Sequence, residues 1–160
     1  MVSLAVALSC ASNPWPDEPG LPVAVGLAAN VDAGDAFLAA LTAARAARNL
    51  PAPLVTPHYQ SEIRNFAEDL QAGKTSAAGA QRAIEAWGRV AYRRPVASWL
   101  IDCGAGQPPK IPSALAELPS AVVSYAAARF RPRSMAADQC AILVVAPKPG
   151  DEASSSAPVK

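Results

Sequence analysis

Apolar positions along the chain follow two spacings. From Ala36 to Arg48 they recur at helical spacing. Phe37, Leu41 and Ala44 fall at i, i+4 and i+7, with Leu38 beside them. Asp35 offers an N-cap. Asn49 can take the left-handed conformation at the helix end, and Pro51 forbids continuation. A second helix is expected to start at Thr56-Pro57, with Thr56 as cap and Pro57 in the first turn, where a missing N–H costs nothing. Its buried stripe is Tyr59, Ile63, Phe66, Ala67 and Leu70, its wet side is Glu62, Glu68 and Asp69, and Gly73 stops it. A third helix follows Ser76, with Ala80, Ile84 and Trp87 on one face, and is expected to break near Gly88. The spacing then changes. Val96 to Asp102, Ala121 to Phe130 and Cys140 to Ala146 are strand segments. A turn signal, GAGQPP, follows the first, and one or two helical turns capped by Ser113 span Pro112 to Leu118. The last two strands are joined by the hairpin-length RPRSMAADQ. Helices first and antiparallel strands afterwards indicate an α+β domain.

Composition adds a constraint on packing. The chain has 160 residues, enough for one domain, and is 51% hydrophobic, but 37 of its residues are alanine and only 6% are aromatic. The core must therefore be built from few large groups, with layers approaching closely over alanine faces. The formal net charge is +1, and that balance leaves no strong electrostatic footprint for DNA, RNA or an acidic membrane. A single histidine excludes a His-rich metal site, and no Gly-rich phosphate loop or nucleophile elbow is present, so neither a metal nor a cofactor is expected.

The ends suggest a processed, anchored chain. Residues 1–10, MVSLAVALSC, are apolar and uncharged, and end in a small residue before Cys10. This is similar to the end of a bacterial lipoprotein signal, in which the cysteine becomes the acylated first residue, although no basic segment precedes it. The alternative is a short hydrophobic start with a chance cysteine. The first alternative makes Cys10 a lipidation site, the membrane a partner, and the cell envelope or exterior the location, as for an outer-membrane lipoprotein. Residues 11–22 form a Pro-rich tether or extended arm, 23–146 the folded domain, and 147–160 a tail of Ser, Pro and charge expected to be disordered. Cys103 and Cys140 end and begin strand segments. Adjacent antiparallel strands would bring them to bonding distance, closing a loop of about 38 residues in an oxidising compartment. Two buried free thiols are the other possibility. No pair has C-x-x-C spacing, so zinc is not expected.

The stretch from Phe37 to Gly73 has a layout that resembles the CAP family of cysteine-rich secretory and pathogenesis-related proteins. Arg45 fits the arginine of the first helix, and Leu50, Pro53 and Leu54 fit the connection. Ala67-Glu68-Asp69-Leu70 fits the second helix, and SYAAARF with QCAILVV is similar to the closing hairpin. Thr42 stands where asparagine is usual. The resemblance implies a three-layer α-β-α sandwich with a small antiparallel sheet, and export. The family's metal cleft uses two histidines, and no residues here match them, so the resemblance carries over no cleft ligand.

Few side chains remain as candidates. Trp87, Tyr92 and Trp99 lie close in sequence and could line a groove for a hydrophobic small molecule; core packing is the plainer alternative. Arg129 and Arg131, with Arg133, could hold an anionic group of a lipid head or cell-envelope polymer, or form a solvated hairpin tip. Arg93-Arg94 is the other basic cluster. His58 and Glu62, at i and i+4, could pair as a base and its carboxylate. The sequence therefore suggests an exported, CAP-like binding domain without catalytic residues. The alternative is a cell-envelope hydrolase using a site near His58.

Overall fold

A computed structural model of the chain describes residues 13–15, 17–26, 31–104 and 106–150. Cys10 and the tail beyond residue 150 lie outside the described residues. The fold is α+β. Helix α1 (Val31–Ala46) leads to a two-residue strand β1 (Leu54–Val55), then a 3-10 turn (Pro57–Tyr59), α2 (Gln60–Gln71) and α3 (Ala77–Ala91). Strand β2 (Val96–Asp102), the single-turn helix α4 (Ser113–Ala116), and the hairpin of β3 (Val122–Phe130) and β4 (Gln139–Pro147) complete it. The sheet order is β1-β3-β4-β2. The three long strands are antiparallel, and β1 adds a short parallel pair to β3, Leu54 opposite Val122 and Val55 opposite Val123.

Side chains alternate across these strands, and the alternation separates two cores. On one face Val96, Leu100, Ala128, Phe130, Ala141, Leu143 and Val145 pack with Ile63, Ala67 and Leu70 of α2 and Ala80 and Ile84 of α3. On the other, Trp99, Ile101, Val123, Ile142, Val144 and Ala146 pack with Phe37 and Leu41 of α1 and Leu115 of α4. Helices thus lie on both sides of one small sheet. Residues 141–146 of the central strand β4 are fully buried, in keeping with their unbroken apolar run.

The elements differ from the sequence expectation at four points, each with a local cause. Helix α1 starts at Val31, so Asp35 is inside it. Gly34, a poor helix former, occupies that first part because a Cβ there would meet the Tyr125 ring at 3.2 Å. Thr56 holds the cap position in extended conformation, but its side chain makes no cap bond, and the chain winds a 3-10 turn before α2. Ser113 opens α4 and Pro112 is its cap. Gly88 does not break α3, which runs on to Ala91. A Cβ at Gly88 would stand 2.9 Å from Cγ2 of Val96 and 3.3 Å from Cγ2 of Val145, so the missing side chain lets helix and sheet touch. The Ser76 cap is as expected, its hydroxyl accepting from Gly79 N–H at 3.0 Å.

The Pro-rich segment is an arm docked on the domain. Trp15 is 6% exposed and meets the Phe130 ring edge-on at 5.1 Å. Val23 N–H donates to Arg131 O and Val25 N–H to Gln71 O, both at 2.9 Å. Gly73 takes φ +69°, and a Cβ there would lie 2.6 Å from the Pro22 carbonyl. That glycine both ends α2 and admits the arm.

One buried cation ties the opposite layer together. The Arg45 side chain is fully buried and forms no ion pair among the described residues. Its Nε donates to Pro51 O at 2.7 Å, and Nη1 donates to Ala116 O at 3.0 Å and Leu118 O at 2.6 Å. Burial lowers its pKa from the ordinary arginine value. The end of α1, the connection after it and the end of α4 thus share one guanidinium.

Two stability outcomes follow. Arg45→Ala leaves the buried carbonyls of Ala116 and Leu118 without a donor, at about 1–3 kcal/mol each; urea unfolding should show a total loss of about 2–6 kcal/mol. Arg45→Lys should recover only part of it, because one ammonium lacks the planar fork. Gly88→Ala should destabilise by about 1–3 kcal/mol through overpacking against a stiff valine, although alanine is favoured over glycine in a helix by about 1 kcal/mol. Equal or greater stability of the alanine variant would show that α3 can move off the sheet.

Candidate functional site

An open depression lies beside the start of α1. Asp32 and Ala33 at the start of α1, the turn after β2 with Cys103, Gly104, Gly106 and Gln107, and the hairpin residues Arg129 and Asp138 to Cys140 surround an open groove of about 450 Å³. That volume is in the range of small-ligand sites. Strand parity puts these residues on one side. Arg129 shares its face of β3 with Tyr125 and Ala127, and Cys140 shares its face of β4 with Ile142, all on the α1 side of the sheet.

Asp138 organises the groove wall. Arg129 Nη2 donates to its Oδ2 at 3.3 Å, and Arg131 Nε and Nη2 both approach its Oδ1 at 2.7 Å. Two guanidinium groups on one carboxylate leave a net local charge of +1 from those three. Arg131 lies opposite Asp138 if the pairing of Arg129 with Cys140 is continued, so this is a cross-strand charge pair at the hairpin end. Arg133 is engaged elsewhere, its Nε donating to Leu21 O at 2.7 Å on the docked arm.

Cys103 and Cys140 form the groove's rim. They face each other across β2 and β4 at disulfide distance, with Cα atoms 5.0 Å apart and the Cys103 N–H donating to Cys140 O at 3.1 Å. The strand ends bring together two cysteines that are 37 positions apart in sequence.

The three sequence-nominated aromatics do not share a groove. Trp99 is buried at 6% on the α1 side, while Trp87 and Tyr92 pack against the α2–α3 core on the opposite side of the sheet. Sequence proximity misled here because α3 and the odd-numbered residues of β2 address different faces. Trp87 and Tyr92 instead join Tyr59 and Phe66, with Tyr59 centroids 5.5 Å from Trp87 and 4.7 Å from Tyr92. The Tyr92 hydroxyl lies 3.1 Å from Ser124 Oγ, and burial raises its pKa above the ordinary tyrosine value. Tyr125, on the α1 side, is raised by burial and by the charge of Asp35.

His58 and Glu62 are not joined by a hydrogen bond among the described residues. His58 is exposed and packs edge-on to Tyr59 at 4.8 Å, and Glu62 accepts from the Ser61 hydroxyl at 2.7 Å. That bond is the main cause of the lowered Glu62 pKa. The pair gives the hydrolase alternative no oriented base. Among the described residues no three His, Cys, Asp or Glu side chains converge as metal ligands.

Of the groove residues, the sequence nominated only Arg129 and the two cysteines. Asp32, Gln107, Asp138 and Gln139 were missed. The alternation R-x-R before the hairpin loop and D-Q-C after it was the available signal for Asp138. Asp32 and Gln107 come from segments whose meeting only the fold determines. No protein-family model, curated protein or solved structure matches the chain.

The rim makes one prediction. The native chain should show no free thiol at positions 103 and 140 in non-reducing peptide mapping. Replacing both by serine should lower stability by about 3–4 kcal/mol, the chain-entropy value for a loop of this size. Two reactive thiols in the folded chain would contradict it.

Proposed function

We propose that this chain is an exported, divergent CAP-type domain that binds a polar component of the cell envelope in the groove between α1 and the hairpin. The reading assigns it no catalytic residue. One observation carries it: a groove of about 450 Å³ in which a shared Arg129–Asp138–Arg131 network, Gln107 and Asp32 offer both donors and acceptors beside a cysteine rim. Guanidinium, carboxylate and amide groups together suit a hydroxyl- or amide-rich ligand such as a glycan or short peptide of the wall, and suit a hydrocarbon poorly.

Three further features support the reading. A disulfide pair at the rim fits an oxidising compartment. The buried Arg45 occupies the position that carries the sequence resemblance, and the helices on both sides of the sheet agree with the architecture the resemblance implies. Acylation at Cys10 would place the domain at a membrane, tethered through the docked arm.

Titration of the labelled full chain with solubilised wall fragments, followed by amide NMR, tests the reading. Shifts should cluster at residues 103–107 and 129–140. Arg129→Ala, which removes a half-exposed side chain, should weaken binding at least tenfold while leaving the unfolding midpoint nearly unchanged. Absence of shifts, or shifts that Arg129→Ala does not reduce, would reject it.

A further inference from the structure

Arg129 and Arg131 share the Asp138 carboxylate at the hairpin, and a second group of arginines lies at the end of α3. Arg89, Arg93 and Arg94 are all exposed, and none forms an ion pair among the described residues. They surround the end of α3. Arg89 lies in its last turn, Tyr92 caps it, and Arg93 holds φ +52°, a left-handed turn that directs the chain into β2. Arg94 follows Tyr92 by two residues, just before β2.

An apolar surface lies between these cations. Val90 is 78% exposed, the most exposed of the large hydrophobic residues described. It sits three residues after Trp87, on the same side of α3. Trp87 is half-buried and contacts Tyr59 and Phe66 by ring edges, at centroid distances of 5.5 and 5.9 Å. Two acidic groups are near, and each is turned to another partner: Glu62 accepts from Ser61, and Glu85 Oε1 accepts from the Ser98 hydroxyl at 2.8 Å.

We propose that this end of α3 is a docking surface for an anionic lipid bilayer, with Trp87 and Val90 at the headgroup level and Arg89, Arg93 and Arg94 on the phosphates. The charge supplies complementarity to an anionic leaflet, at about a fivefold gain in partitioning per arginine. An indole and an exposed valine inside the basic rim favour a bilayer over a soluble polyanion, because amphipathic rings gain from a boundary between water and hydrocarbon. The arm approaches the same helix: Asn13 lines a groove with Ala78, Arg82 and Glu85 of α3. The arm meets α3 in its first half, away from Val90 and the three arginines, so an acyl anchor at Cys10 would act separately from this surface. The surface itself does not depend on that anchor, nor on the ligand groove.

The test uses the full chain with Cys10→Ser, so that acylation contributes nothing and its absence in the native host would not alter the outcome. Co-sedimentation is measured with vesicles of phosphatidylcholine alone and with 30% phosphatidylglycerol. Binding should appear only with the anionic lipid and fall steeply with salt. The triple variant Arg89→Ser, Arg93→Asn, Arg94→Ser should lose at least about tenfold in partitioning; asparagine is chosen because it tolerates the left-handed turn. A variant of equal charge loss at Arg48, Arg64 and Lys110 should lose much less, and Val90→Ser should weaken binding without a change in melting temperature. No binding to the anionic vesicles overturns the proposal. So does an equal loss in both triple variants, or a soluble polyanion bound as tightly as the vesicles.

Discussion

A single buried guanidinium carries the α1 layer. Arg45 forms no ion pair among the described residues; it is held by carbonyl oxygens at the end of α4 and in the connection between α1 and β1. Helix C-termini present unpaired carbonyls and partial negative charge, so they are among the few apolar settings that accept a cation without a carboxylate. The same residue closes its own helix, as its carbonyl accepts from the N–H groups of Arg48 and Leu50. This fixes where α1 ends and how α4 sits against it. Through them it holds the end of α1 and α4 against the α1-side core.

The sheet between the layers depends on small side chains. Ala126, Ala127, Ala128, Ala141 and Ala146 keep β3 and β4 thin, and Gly88 lets α3 reach Val96 and Val145. Larger residues such as Phe37, Trp99 and Phe130 then fill the remaining space. Alanine abundance is therefore consistent with two separate cores of modest size on either side of one strand layer.

Much of this was legible along the chain. The three long strands were visible because β-branched and apolar runs are bounded by Pro, Gly or polar turns, and the Ser76 cap because its hydroxyl acts on a neighbour three residues away. What was not legible depends on contacts between distant segments. Gly88 read as a helix break in one dimension and is a contact point in three, as is Gly34, which lay outside the expected helix. Trp87 and Trp99 looked like neighbours, but nothing local says which side of a sheet a helix will cover. The groove draws on four separated stretches, so only its cross-strand part, Arg129 and the cysteines, could be nominated in advance.

The sheet's margins have a consequence for solubility. Strand β1 covers only the start of β3, and beyond it α2 lies along the strand, with Gln60 Oε1 accepting from Tyr125 N–H at 2.9 Å and Gln71 Oε1 from Arg129 N–H at 3.4 Å. On the far side, the bond from Cys103 to Cys140 sets the phase of the ladder, turning the backbone N–H and C=O groups of the even residues of β2 away from β4, and Gln81 Nε2 donates to the Ser98 carbonyl there at 3.1 Å. Both margins are thus occupied, at these positions, by glutamine amides from helices, which imitate a neighbouring strand without offering one. A second copy of the chain finds fewer free backbone groups to pair with. The segment most prone to stacking, Ala141 to Ala146, is the strand enclosed on both sides. A protein this rich in alanine and valine keeps its strands from recruiting others by using long polar side chains as the terminal rungs.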